Sequence, residues 1–177
     1  HAYLLDQPAP GALQVAQGRL GMEFTLVRGW LQTCRFPRDT GPAWDAMVRV
    51  AAALTPGIPP DELAAFWQYF AGKCRASVTP AQAAWLELLT AVARRDPAAA
   101  RDHGLRVLAL DRQLTPETRE YATLATVSAL LAVNDREQAG RVMADQRRHL
   151  GAEVMERPWM RYLVMVLSVR ARPAPPN

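Results

Sequence analysis

Cysteine is nearly missing from this 177-residue chain, aromatic residues make up only 7% of it, and it has no apolar run of bilayer length. Each shortage excludes something. Cys34 and Cys74 are too few for a disulfide scaffold, and neither stands in a CxxC or Cys/His cluster of the kind that holds zinc. Cysteine behaves as a small hydrophobe in protein cores, so two buried free thiols are expected, with a single bridge as the alternative. The compartment stays open, with the cytoplasm as first reading and an exported domain as second. The nearest approach to a membrane segment is Tyr162–Leu167, bounded by Arg161 and Ser168. That is far below the ~20 residues a spanning helix needs, and it reads as a buried helix segment.

Catalytic patterns are also missing. The chain has no Gly-rich phosphate loop, HExxH, GxSxG elbow or calcium loop. Its histidines are His1, His103 and His149. His149 and Glu153 are four apart, but Gly151 lies between them, and one histidine with one carboxylate does not make a metal site. Asp96, Asp102 and Asp111 suit helix caps and solvated surfaces better than paired catalytic acids. No enzyme activity, cofactor or metal is expected. The chain opens at His1, which points to processing or to excision from a larger parent chain.

What is present favours helix. Half of the residues are hydrophobic and 21% are charged, which rules out whole-chain disorder. Alanine and leucine dominate the apolar set, and both favour helix over strand. Leu13, Leu20 and Val27 recur at intervals of seven, as do Phe24 and Leu31, giving the stripe of an amphipathic helix over residues 12–34 that Gly18 and Gly21 weaken. Thr40, Thr79 and Thr115 then stand as N-caps, with Pro42, Pro80 and Pro116 in the first turns that follow. Thr79 and Gln82 match a capping box. Pro60-Asp61-Glu62, Asp96-Pro97 and Asp135 with Gln138 mark further starts, their acids suited to the positive end of a helix dipole. The pattern predicts about eight helices, near 12–34, 41–54, 60–74, 80–95, 97–111, 116–133, 136–150 and 157–170, and more than roughly 60% helix with no sheet.

The starts recur at a near-constant interval. Thr40 to Thr79 is 39 residues, Thr79 to Thr115 is 36, and Asp96 to Asp135 is 39. Trp44 and Trp85 are 41 apart, and Cys34-Arg35 and Cys74-Arg75 are 40 apart. This is a degenerate repeat of 36–41 residues, each unit an antiparallel helix pair, with Trp44 and Trp85 equivalent and packed within their own pairs. Short connections favour antiparallel neighbours. The domain reading is an N-terminal extension at 1–11, a helical-repeat domain at 12–171 and a Pro-rich tail at 172–177.

Ala84-Trp85-Leu86-Glu87-Leu88-Leu89 followed by Asp96-Pro97-Ala98-Ala99-Ala100-Arg101 resembles a tetratricopeptide-type repeat. Tyr121-Ala122-Thr123-Leu124-Ala125 followed by Asn134-Asp135-Arg136-Glu137-Gln138-Ala139 has the same grammar, and Ala100 and Ala139 suit the small residue where paired helices cross. The family repeat is 34 residues and these units are longer, without the usual glycine, tyrosine and closing proline. The resemblance implies a right-handed, all-α solenoid of stacked antiparallel helix pairs with a concave binding face, and it supplies no binding residue.

Function is therefore read from the surface. The first expectation is a protein–protein interaction module: a scaffold, adaptor or chaperone of an assembly or secretion system. A regulatory or sensor domain of a larger protein is the alternative. From Arg136 onward eight arginines face four acids and no lysine. That leaves nucleic-acid binding as a further alternative, although a GC-rich bacterial genome also favours arginine and no aromatic-interleaved basic run accompanies these residues. Phe66-Trp67-Gln68-Tyr69-Phe70 reads as core packing, with a partly exposed aromatic anchor as the other possibility. The helix after Pro158 is apolar nearly all round, whereas a terminal solenoid helix should turn one polar face outward. Trp159, Leu163 and Val166, rimmed by Arg147, Arg148 and Arg161, are accordingly expected to bind a partner protein or a second copy of the chain.

Overall fold

The computed structural model describes residues 18, 20–37, 41–110 and 112–169. Of these, 78% are helical and none is in a strand. The elements are α1 (Met22–Thr33), α2 (Gly41–Leu54), α3 (Pro60–Cys74), α4 (Pro80–Arg94), α5 (Pro97–Leu110), α6 (Pro116–Ala132), α7 (Arg136–Gln146), α8 (Ala152–Met155) and α9 (Pro158–Ser168). The ends expected at 1–11 and 172–177, and the cap at Thr40, lie outside the described residues.

Local chemistry sets the boundaries. The hydroxyl of Thr79 accepts from the Gln82 N–H while the Gln82 side chain accepts from the Thr79 N–H, closing the capping box at α4. Thr115 and Thr118 repeat the arrangement at α6. Asp96 and Asp135 accept from the N–H groups of Ala99 and Gln138 at the starts of α5 and α7. Gly21, at φ +43, breaks the first stripe just before α1, at one of the two glycines that weakened it in the sequence.

Consecutive helices from α3 to α7 pack against one another in chain order. α2 does not follow this rule. Its extensive contacts are with α1 and α6, and its backbone does not run beside α3 as a repeat pair would require. Trp44 and Trp85 are both fully buried, but they do not pack within separate pairs. They stack on each other at 5.9 Å, in a column that runs Phe36–Trp44–Trp85–Tyr121. Arg49 of α2 grips Glu23 of α1 with two nitrogens, at 2.7 and 2.9 Å, and reaches Glu117 of α6 at 2.5 Å. Asp45 accepts from the Thr115 hydroxyl. α2 thus lies across α4 and the first turns of α6, held by stacked rings and a bridging arginine.

The cysteines correct the expectation of free thiols: Cys34 and Cys74 form a disulfide. It joins the end of α1 to the end of α3, where the Lys73 ammonium also caps the Gln32 carbonyl of α1 at 2.7 Å. Phe66, Trp67 and Phe70 are buried, so the aromatic cluster of α3 is core, and Tyr69 is its one exposed ring.

α5 and α6 approach closely at Gly104, where an added Cβ would lie 2.1 Å from the Thr126 hydroxyl oxygen. Alanine gains about 1 kcal/mol over glycine in a helix. Gly104→Ala is nevertheless expected to destabilise, by about 1–3 kcal/mol, as overpacked cores do. Urea denaturation checks this, and Thr126→Ala should recover part of the loss by removing the obstructing oxygen.

The C-terminal helices form a second, smaller core around Val127, Leu130, Met143, Leu150, Met160 and Leu163. The four-residue α8 within it makes nine helices among the described residues, one more than expected. α9 is fastened at both ends. The Trp159 Nε1–H and the Arg157 guanidinium both donate to Glu120 of α6, at 3.0 and 2.8 Å. Arg136 donates to the carbonyls of Val166 and Val169 at the other end.

Candidate functional site

Along α6, Tyr121, Leu124, Ala125, Ser128, Ala129 and Ala132 recur at intervals of three and four, forming one continuous helical stripe. Part of this stripe is covered by neighbouring helices. The rest faces Ala91, Val92 and Arg95 at the end of α4, and Asp96, Pro97 and Ala100 where α5 begins. Five of these twelve side chains are alanine, too short to meet across the gap, and an open groove of about 520 Å³ remains. Its walls are overwhelmingly apolar, and its polar groups are Arg95 and Asp96 at the α4–α5 turn, the Ser128 hydroxyl and the Tyr121 phenol. A concavity of this size and lining is the first candidate for a binding site.

Tyr121 joins the groove to the aromatic column, its ring 6.2 Å from that of Trp85. Burial disfavours the charged phenolate and pushes its pKa from 10.0 up to about 12. The native state therefore holds this proton more tightly than the unfolded chain does. The resulting stability is complete below pH 10 and is lost as pH rises from 10 towards 12. Tyrosinate absorbance should show a component near pH 12 that disappears in Tyr121→Phe. A titration without that late component would mean that water reaches the phenol freely.

A second cleft, of about 340 Å³, lies over α4 between α3 and α5. It is polar: Arg94 donates to Gln68 at 2.5 Å, and His103 Nε2 stands 3.3 Å from Glu87. Neither pair places a nucleophile beside a base. Among the described residues, no three of His, Cys, Asp and Glu come together as metal ligands, and no helix is long and apolar enough to cross a membrane. Asp102 pairs with Arg101 on the surface, and Asp111 lies outside the described residues.

The residues expected to bind a partner differ in exposure. Leu163 is only 4% exposed, inside the C-terminal core, so it is a packing residue and cannot meet a partner directly. Trp159 is half-buried on Glu120, and Val166 is half-buried. Arg147, Arg148 and Arg161 are exposed. The open apolar side chains here are Tyr162 and Met165 of α9 and Val169 just after it, at 61%, 57% and 62% exposure. Leu163→Asp is expected to abolish cooperative folding, because it buries an unpaired charge, whereas Val166→Asp should cost about 1 kcal/mol or less. Thermal melts followed by circular dichroism separate the two, and equal effects would refute this placement.

Four arginines of the basic quarter have partners among the described residues. Arg136 caps carbonyls, Arg157 binds Glu120, Arg141 pairs with Glu137 and Arg148 with Asp145. The groove residues, by contrast, were not read as binding residues in the sequence: Asp96-Pro97 marked a helix start, and Ala100, Tyr121, Leu124 and Ala125 belonged to the repeat resemblance.

The chain matches no protein-family model, and no curated protein or solved structure matches it.

Proposed function

We propose that this chain is a protein–protein interaction module, a scaffold, adaptor or chaperone without enzymatic activity, that holds a segment of a partner polypeptide on the α4–α6 face. The observation that carries this reading is the 520 Å³ apolar groove beside Tyr121. The consecutive packing of α3 to α7 supports reading that part as a tetratricopeptide-like, right-handed solenoid whose first-of-pair helices, α4 and α6, line the binding face. The Cys34–Cys74 bond favours an oxidising compartment, and so an exported setting over the cytoplasm.

Affinity capture from the native source tests the reading. Ser128 is exposed on the groove wall, so Ser128→Arg should fold normally and obstruct the site. The wild-type chain should retain a polypeptide partner that the variant loses. A partner held equally by both would place the interaction elsewhere on the molecule.

A further inference from the structure

The α4–α6 face already holds one helix, and that helix shows what the open part is built to accept. α2 lies on the face through its own apolar side, with Trp44 stacked on Trp85, an acid (Asp45) meeting the first turn of α6, and Arg49 answering Glu117. The groove continues the same face from Tyr121 towards Ala132. Those eleven residue steps span about 16 Å at 1.5 Å per residue, the length of three helical turns.

Helical walls also select the conformation of the occupant. The backbone groups of α4 and α6 are paired within their own helices, so the groove offers no free edge to an extended strand. A strand laid there would bury N–H and C=O groups without partners. A helix satisfies its own backbone and needs only side-chain contacts, and the alanines of the floor let it come close.

Charge narrows the choice further. Asp96 is occupied in capping α5, whereas Arg95 is exposed at the rim with no described side-chain partner. We infer that the groove takes an amphipathic helix of about three turns from a different polypeptide. Its large apolar side chains at i, i+3/i+4 and i+7 enter beside Val92, Tyr121 and Leu124, and an acidic residue at its edge meets Arg95. This rests on the interaction-module reading. A second copy of the chain fits less well, because the apolar stripe of its α9 is flanked by Arg161, which would bring like charge to Arg95.

The test is a displayed library of 14-residue sequences, half helix-forming and half extended or proline-rich, selected on the intact, oxidised chain. Selected binders should be helical, carry the i, i+3/i+4, i+7 stripe with Asp or Glu beside it, and bind at least ten-fold more weakly to Ser128→Arg. Arg95→Glu should reverse the preference, favouring binders with Lys or Arg at that edge. Extended binders that Ser128→Arg blocks would overturn the helix inference and leave the interaction module standing. Failure to select any groove binder would overturn both. Sedimentation of the free chain adds a further outcome: a dimer that Ser128→Arg dissolves would assign the groove to a second copy and overturn the inference of a different partner.

Discussion

Opening the Cys34–Cys74 bond, by reduction or by Cys34→Ser with Cys74→Ser, is expected to lower unfolding stability by about 4 kcal/mol. The bridged residues are 40 apart, and the closed segment contains the whole of α2 and α3. A cross-link over such a loop removes many conformations from the unfolded ensemble, and the loop-entropy relation puts the effect between those for short and very long loops. At about 2–4 °C per kcal/mol for a chain of this size, the melting temperature should fall by roughly 8–16 °C. Paired melts with and without reductant measure this directly. Maleimide labelling of the unreduced, denatured chain should find no free thiol. Equal melting temperatures in the two states would show that α1 is held by its buried Phe24, Val27 and Leu31, and by Arg49 on Glu23, without help from the bridge.

The sequence contained the clue to this bridge. Cys34-Arg35 and Cys74-Arg75 stand one repeat interval apart, as closing signals of equivalent elements. In a stack of repeats such ends would lie side by side, although α2 and α3 do not pair here as that repeat requires. A prior drawn from cysteine in ordinary cores favoured free thiols because it ignored that geometry.

Helix positions were legible for a local reason. Caps at Thr79, Asp96, Thr115 and Asp135, with prolines at helix starts, act within four residues, and α3 to α7 begin where those residues place them. α8 has only four residues, too few for any periodicity to register. Periodicity also shows which face of a helix is apolar without naming what covers it. For α2 the cover is α1, α4 and α6, not the adjacent α3, through contacts as distant in sequence as Arg49 with Glu117, 68 positions away. Because α2 lies where it does, part of the α6 stripe is left open as the groove. The same limit applies to α9: its all-round apolar character was visible, but Leu163 turns inward while Tyr162 and Met165 turn outward, and only the packing on α6 and α7 decides which.

Trp85 stands where these long-range choices meet, and Trp85→Ala is expected to cost about 3–5 kcal/mol, the range for large buried aromatics. Its side chain is completely buried in α4, with the Trp44 ring on one side at 5.9 Å and Tyr121 on the other at 6.2 Å. Truncation leaves a void between α2 and α6 that close-packed helices fill only in part. The column makes a sharper demand than burial alone. Separate packing within unrelated helix pairs would make the effects of Trp44→Ala and Trp85→Ala additive. Direct stacking should instead give a coupling of about 0.5–1.5 kcal/mol in a double-mutant cycle. Urea denaturation of both single variants and the double variant measures it. Additivity within about 0.3 kcal/mol would mean that the two rings do not share a contact, and α2 would then have to lie elsewhere than across the α4–α6 face. Tyr121 offers an independent readout in the same experiment. With the Trp85 ring gone, water should reach the phenol, and its ionisation should fall from about 12 towards 10. A phenol that still ionised near 12 in Trp85→Ala would show that α6 and the groove wall keep it dry by themselves.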